Sequence, residues 1–254
     1  MGLRAAEFHE KSGLAGETAC PTWPELVGQA VPPAFFDPAD SGALPDEPRS
    51  PSARLTPDLR ARIQSSFDQA SGDEEHFPST IDPRIWHVKL VREHLGDLRG
   101  KRVLDVGCGK GRFARIFKEA QPEAEIWGLD ISEAMLRFVP QGIQTRAGSM
   151  TELPFEDAFF DGAYATESLE HAVEIPKAVS EICRVVKPGG RIAIIDKNAE
   201  QWGRLETPEW ERWFTRAELE GLLARHCRQV TSRFLSYWED VEPDGLFLAW
   251  LAVK

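Results

Sequence analysis

No feature of this chain restricts its fold more tightly than the alternation of two hydrophobic periods that begins at residue 102. Runs rich in β-branched residues at Arg102–Val106, Glu125–Ile131, Ile143–Ala147, Phe160–Ala165 and Arg191–Asp196 read as strands. Between them, Arg112–Glu119, Ser132–Phe138 and Ile175–Val186 read as helices. Ser132 is a good N-cap, and Lys187-Pro188-Gly189-Gly190 reads as the stop of the third helix. Strands separated by helices cannot pair as hairpins, so they must lie parallel with helices packed on both faces. An α/β fold with a doubly wound sheet is therefore expected. Upstream, Trp86, Leu90, Val91, Leu95 and Leu98 recur at three- and four-residue intervals and predict an amphipathic helix over Pro83–Leu98, turning at Gly100. Downstream, a helix over Arg216–His226 precedes two apolar runs, Val230–Trp238 and Leu246–Val253. Glu242-Pro243-Asp244-Gly245 joins these like a hairpin, which predicts a mainly parallel seven-stranded sheet with an antiparallel last strand.

Nine of the 18 prolines fall between Pro21 and Pro57, a density that excludes a long helix or a central strand there. Residues 1–57 are expected to form an irregular arm whose Trp23, Phe35 and Phe36 dock on the domain or stay loosely ordered, and residues 58–254 the domain itself. With 41 acidic against 30 basic residues the net charge is −11, and no basic patch offsets it, so no nucleic-acid partner is expected. The apolar run Phe247–Val253 is far shorter than the ~20 residues of a membrane span, and Met1-Gly2-Leu3-Arg4 opens no secretory apolar stretch. A cytoplasmic protein is expected. Cys20, Cys108, Cys183 and Cys227 show no Cys-x-x-Cys spacing and the histidines no His-x-x-x-His pair, so no metal site is suggested.

The chemistry-bearing segment is Val103-Leu104-Asp105-Val106-Gly107-Cys108-Gly109-Lys110-Gly111, placed between a strand and a helix. Glycines there let the backbone turn tightly and admit a ligand close to the main chain, although a bare strand-to-helix connection would use them too. The dinucleotide fingerprint needs a third glycine where this chain has Arg112. An acidic residue two positions before Gly-x-Gly-x-Gly instead resembles the class I S-adenosylmethionine-dependent methyltransferases. The resemblance implies that Asp105, Gly107, Cys108 and Gly109 hold the methionine part of S-adenosylmethionine, whose ammonium suits a carboxylate. Asp130, in Trp127-Gly128-Leu129-Asp130-Ile131, stands at the tip of the second strand, where a carboxylate can accept from both ribose hydroxyls. Capping the next helix is its plainer reading. The resemblance makes Ile131 a contact for the adenine face.

Gly148-Ser149-Met150-Thr151-Glu152-Leu153-Pro154-Phe155 resembles the family's loop after strand three, with Ser149 in place of the usual aspartate. It implies cofactor contacts from Ser149 and Met150, and from Thr166 at the end of strand four. Ala165-Thr166-Glu167-Ser168-Leu169-Glu170-His171 is similar to the Leu-Glu-His segment of the small-molecule branch, which includes quinone-biosynthesis enzymes. Loops at the carboxyl ends of such strands face the ligand, so Glu167 and His171 are candidate bases; the plainer reading is that Glu170 and His171 only cap or orient the following helix. The function implied is methyl transfer to a small-molecule acceptor on oxygen, nitrogen or carbon, with no metal required. An RNA or protein methyltransferase and a non-catalytic S-adenosylmethionine-binding module are the alternatives. The segment Asn198–Thr215, carrying Trp202, Trp210, Trp213 and Phe214 among acidic residues, either lines the acceptor pocket or packs on the sheet.

Overall fold

The structure, a computed structural model, describes residues 54–254; the expected proline-rich arm lies almost wholly outside the described residues. The described chain runs α1 (Pro57–Ala70), α2 (Trp86–Leu95), β1 (Arg102–Val106), α3 (Arg112–Ala120), β2 (Glu125–Asp130), α4 (Glu133–Leu136) and β3 (Gln144–Ala147). It continues through β4 (Phe160–Thr166), α5 (Ile175–Val185), β5 (Val186–Lys197), α6 (Arg216–Leu223), β6 (Gln229–Leu235) and β7 (Phe247–Val253). The strands form one sheet in the order β3-β2-β1-β4-β5-β7-β6. All neighbours are parallel except β7, which is antiparallel to both β5 and β6. The predicted α/β sheet and its antiparallel last strand are both present.

The period-two pattern of the strands sorts the core into two layers. Leu104, Val106, Ala163, Ala165, Ile192, Ile194, Leu248 and Trp250 face α5 and α6. Val103, Tyr164, Ala193, Ile195, Phe247 and Ala249 face α2 and α3. Each fully buried aliphatic side chain stabilises the fold by ~1.5–3 kcal/mol. The central strands are closed to solvent on both faces, as a parallel sheet requires.

Several boundaries differ from the sequence reading. The second helix is shorter than Pro83–Leu98, and it ends before Leu98 because Gly96, at a positive φ of 72°, turns the chain out of it. β5 begins at Val186, so Lys187–Gly190 does not separate a helix from a strand. The register to β4 jumps from Phe160↔Val186 to Gly162↔Arg191, and the extra residues form a bulge. Gly190 is fixed there by space: a Cβ would stand 2.7 Å from the Asp161 carbonyl oxygen. α6 stops at Leu223 and β6 at Leu235, both earlier than expected.

The helix α1 was not foreseen at all. Its signals are present: Thr56 caps the N-terminus by accepting from the Leu59 N–H at 3.2 Å, Pro57 opens the helix, and Leu59, Ile63, Phe67 and Ala70 mark one face.

Candidate functional site

The carboxyl ends of β1, β2 and β4 meet where the sheet order reverses between β1 and β4, which is where such folds open a crevice. Gly107 and Cys108 both donate their N–H to the Leu129 carbonyl, at 2.8 and 2.9 Å, so the turn after β1 is hooked onto β2. Gly107 sits at φ 73°, and a Cβ there would stand 2.5 Å from the Ser168 Cβ. Only glycine fits. Cys108 in turn is packed so closely over Gly128 that a Cβ on that glycine would meet its Sγ at 2.6 Å. At Gly109, φ 52°, no atom lies within 4 Å of such a Cβ, so the backbone there borders open space.

Two carboxylates flank this turn. Asp105 is 2 % exposed and lies on the same sheet face as its cross-strand neighbour Tyr164, whose hydroxyl donates to Oδ2 at 3.0 Å. Burial, reinforced by the charge of Asp130, pushes the Asp105 carboxyl up to about 7 against the Tyr164 hydrogen bond. Asp130 accepts from the Gly109 N–H at 2.8 Å with Oδ2 and from the Ser132 N–H at 2.9 Å with Oδ1. It too is raised by burial, a shift its two backbone donors oppose. A carboxylate has about four lone-pair positions, so these two bonds leave Asp130 room for further donors. Ile131 follows half-buried, and Met150 reaches the turn, its Cε 3.4 Å from the Gly107 Cβ position. Ser149 is buried, but its hydroxyl is engaged within its own loop by Thr151, at 2.8 Å from Oγ1. Thr166 is buried at the end of β4.

The unforeseen helix α1 lies across these strand ends. Asp68 accepts from the Ser132 hydroxyl at 2.6 Å and from the Ala134 N–H at 3.3 Å, tying α1 to the start of α4. Just beyond, the buried Lys110 donates to the Asp73 carbonyl at 3.0 Å and to Glu74 Oε1 at 2.7 Å. That bond holds the Glu74 carboxyl down at about 2. Arg62 pairs with Glu209, and Phe67 meets the His171 ring edge-on at 5.1 Å. The glycine turn after β1 and the segment after β5 thus share one cover.

The two candidate bases have different surroundings. Glu167, at φ 51°, is pinned by Arg112 at 3.4 Å and by the Tyr237 hydroxyl at 3.1 Å, next to the buried His87. Burial drives His87 down to about 4, so it stays neutral. His171 is 15 % exposed, stands between Glu170 and Glu211, and is near enough to Asp130 for their charges to interact. Behind it, Lys197 bonds both glutamates. Trp213 and Phe214 are core residues: Trp213 packs on Trp202 at 5.3 Å and donates to Glu211 at 2.6 Å, while Phe214 packs on Trp250. For these two the packing alternative holds. The sequence reading also missed Asp68, Lys110, Arg112, Glu211 and Tyr237; of these only Asp68 carried a local signal, through the pattern of α1.

A family model described as a methyltransferase domain matches residues 104–194. The 2-phytyl-1,4-naphtoquinone methyltransferase of Synechocystis is 30 % identical over 174 residues, covering 65 % of this chain and 70 % of that protein. The O-methyltransferase rstn1 of Aspergillus nomiae is 39 % identical over 118 residues, covering 43 % and 52 %. The chain spans 52 % to 61 % of the length of the first three curated relatives it matches. Among solved structures, the Burkholderia thailandensis 1,6-didemethyltoxoflavin-N1-methyltransferase has a TM-score of 0.61 at 22 % identity, covering 82 % of this chain and 93 % of that one. At that identity the likeness speaks for the fold.

Proposed function

This chain belongs to the S-adenosylmethionine-dependent methyltransferase family, and on that premise we propose that it methylates a small-molecule acceptor. The observation that carries the proposal is the buried carboxylate pair at the glycine turn. Asp105 beside Asp130, both almost sealed from water, is an unfavourable arrangement until a cation and hydroxyl donors arrive. An amino-acid ammonium and a ribose are such a combination, and a pyrophosphate is not. When bound, S-adenosylmethionine supplies an electrophilic sulfonium methyl group.

In this reading Asp105 and the backbone of Gly107, Cys108 and Gly109 hold the methionine portion. Asp130 takes the ribose hydroxyls with its remaining lone pairs. Ile131 packs on the adenine, with Met150 and Thr166 closing the cleft from the neighbouring loops. Ser149 serves the adenine only if its bond to Thr151 rearranges. The acceptor enters beside His171, under α1. Alignment of its lone pair with the methyl group is the main task, and such positioning contributes ~7–11 kcal/mol. Glu167 is bound by two donors and suits orientation better than proton transfer. His171, partly exposed, is the better placed group for a proton the acceptor must lose.

An oxygen acceptor is favoured by the relatives named as O-methyltransferases. A nucleic acid would meet the net charge of −11. Among the described residues no helix is long and apolar enough to cross a membrane. The free thiols of Cys183 and Cys227, 3.9 Å apart, suit the reducing cytoplasm we assign to the protein. We also assign residues 58–254 to the catalytic domain and 1–57 to an appended arm. Calorimetry should give binding of S-adenosylmethionine and S-adenosylhomocysteine but not of nicotinamide dinucleotides, and an acceptor screen should release S-adenosylhomocysteine. Comparable binding of NAD would overturn the assignment.

A further inference from the structure

We propose that Glu170, His171 and Glu211 form a binding site for one divalent first-row cation, of the Mn2+ or Zn2+ kind, at the acceptor end of the cleft. One ligand atom from each residue lies within 4.8 Å of those of the other two. Glu170 and His171 belong to a short 3-10 turn, Leu169–Ala172, that follows β4, whereas Glu211 comes from the segment between β5 and α6. A backbone bond from the Arg212 N–H to the Glu170 carbonyl, 2.9 Å, fastens the two segments side by side.

The second observation is what these groups leave unsatisfied. Glu211 is 0 % exposed; its Oε1 accepts from Trp213 Nε1 and from Lys197, but its Oε2 has no hydrogen-bond partner among the described residues. His171 Nδ1 is equally without a partner, and it faces that oxygen at 3.8 Å. A buried acceptor left unpaired is unfavourable, so the pair calls for an occupant. The gap is too long for a direct hydrogen bond. It is close to the ~3.4 Å separating two ligands held about 2.1 Å from a tetrahedral ion. One imidazole with two carboxylates suits manganese, iron or zinc better than magnesium or calcium, which take mainly oxygen.

Charge leads the same way. Three acids, Glu170, Asp196 and Glu211, are buried here around the buried Lys197. Glu170 and Glu211 both bond Lys197, so the two carboxylates share that one cation. A divalent ion would add cationic charge beside carboxylates that share a single lysine. An acceptor hydroxyl reaching the ion would lose its proton to solvent more readily, with His171 then serving as a ligand in place of a base. This role in the reaction rests on the methyl-transfer reading; the cation binding does not.

The test titrates the full chain with Mn2+, following free ion by electron paramagnetic resonance, and then with Zn2+ in competition. One saturable site is expected, and His171→Ala and Glu211→Gln should each weaken it by at least about tenfold. Thermal melts check that both variants fold; if Glu211→Gln does not, the partly exposed His171 carries the test. Absence of saturable binding of either metal, or unchanged binding in folded His171→Ala, overturns the site. S-adenosylhomocysteine is titrated into the same wild-type sample. Its binding without metal binding overturns the cation site alone, and binding of neither overturns the methyltransferase reading as well.

Discussion

If Asp105 holds the cofactor's ammonium as proposed, its burial ties cofactor affinity to pH. Its carboxyl is held up to about 7 by burial, so at pH 7 about half of the free protein carries it protonated. The sign follows from linkage. For an acid raised above its unfolded value of 3.8, the cost of burying the charge is absent below that value. It grows as pH rises toward 7 and is complete above, reaching about 4 kcal/mol. A ligand ammonium that needs the charged form removes this cost. Binding of S-adenosylmethionine should therefore expel about half a proton per site at pH 7 and almost a whole one at pH 5.5. Affinity should rise about tenfold per unit below pH 7, roughly fifty-fold between pH 5 and 7, and then level off. Calorimetry in two buffers of different ionisation enthalpy reads the proton count directly, and Asp105→Asn should abolish both the release and the slope. Heats that do not depend on buffer, with a dissociation constant flat from pH 5.5 to 7.5 in a folded sample, would refute the argument.

Gly107→Ala should eliminate measurable cofactor binding, because its Cβ collides with Ser168, whereas Gly109→Ala should cost ~1 kcal/mol of backbone strain in a folded protein; paired melts and titrations separate the two. Trp213→Ala should lower stability by roughly 3–5 kcal/mol in a denaturant titration, since it removes a core indole; near-wild-type stability would return Trp213 to the acceptor pocket. Asp68→Ala should loosen α1 from α4, seen as faster amide exchange across Pro57–Ala70 and faster cofactor release, and unchanged exchange there would mean that α1 is held by other contacts.

What the sequence disclosed about the fold follows the range of the forces involved. The ends of β1 and β2 were readable because apolar runs stop where Gly107 and Ser132 impose their own geometry. The start of β5 was not, because Pro188 and the two glycines after it look the same in a turn and in a bulge. What distinguishes the cases is the pairing of Val186 with Phe160, a contact that no local window contains. α1 has a low mean hydropathy and gains its place from Asp68 and Phe67 meeting distant groups, so its short apolar pattern carried little weight.

The same division runs through the site. Its cofactor end is local: Asp105, the glycines and Asp130 all belong to one βαβ unit, and their spacing alone encodes the geometry that Gly109 and Asp130 adopt. Its acceptor end is assembled from afar, with Phe67 from α1, His171 after β4, Glu211 after β5 and Tyr237 after β6. The segment around Trp213 shows why such an end resists reading. Its aromatics and acids alternate, and a pocket wall and a packed insertion both call for that pattern. The choice is made by the bridge between Asn198 and Phe214, which lays the segment along the end of β5 and turns Trp213 inward. Glu211 must then follow its neighbour into the interior, where Lys197 is the cation that makes its burial tolerable. Glu211 is thus a buried acid set beside His171 by the packing of its own segment, and its Oε2, without a partner among the described residues, is the atom the proposed cation would engage.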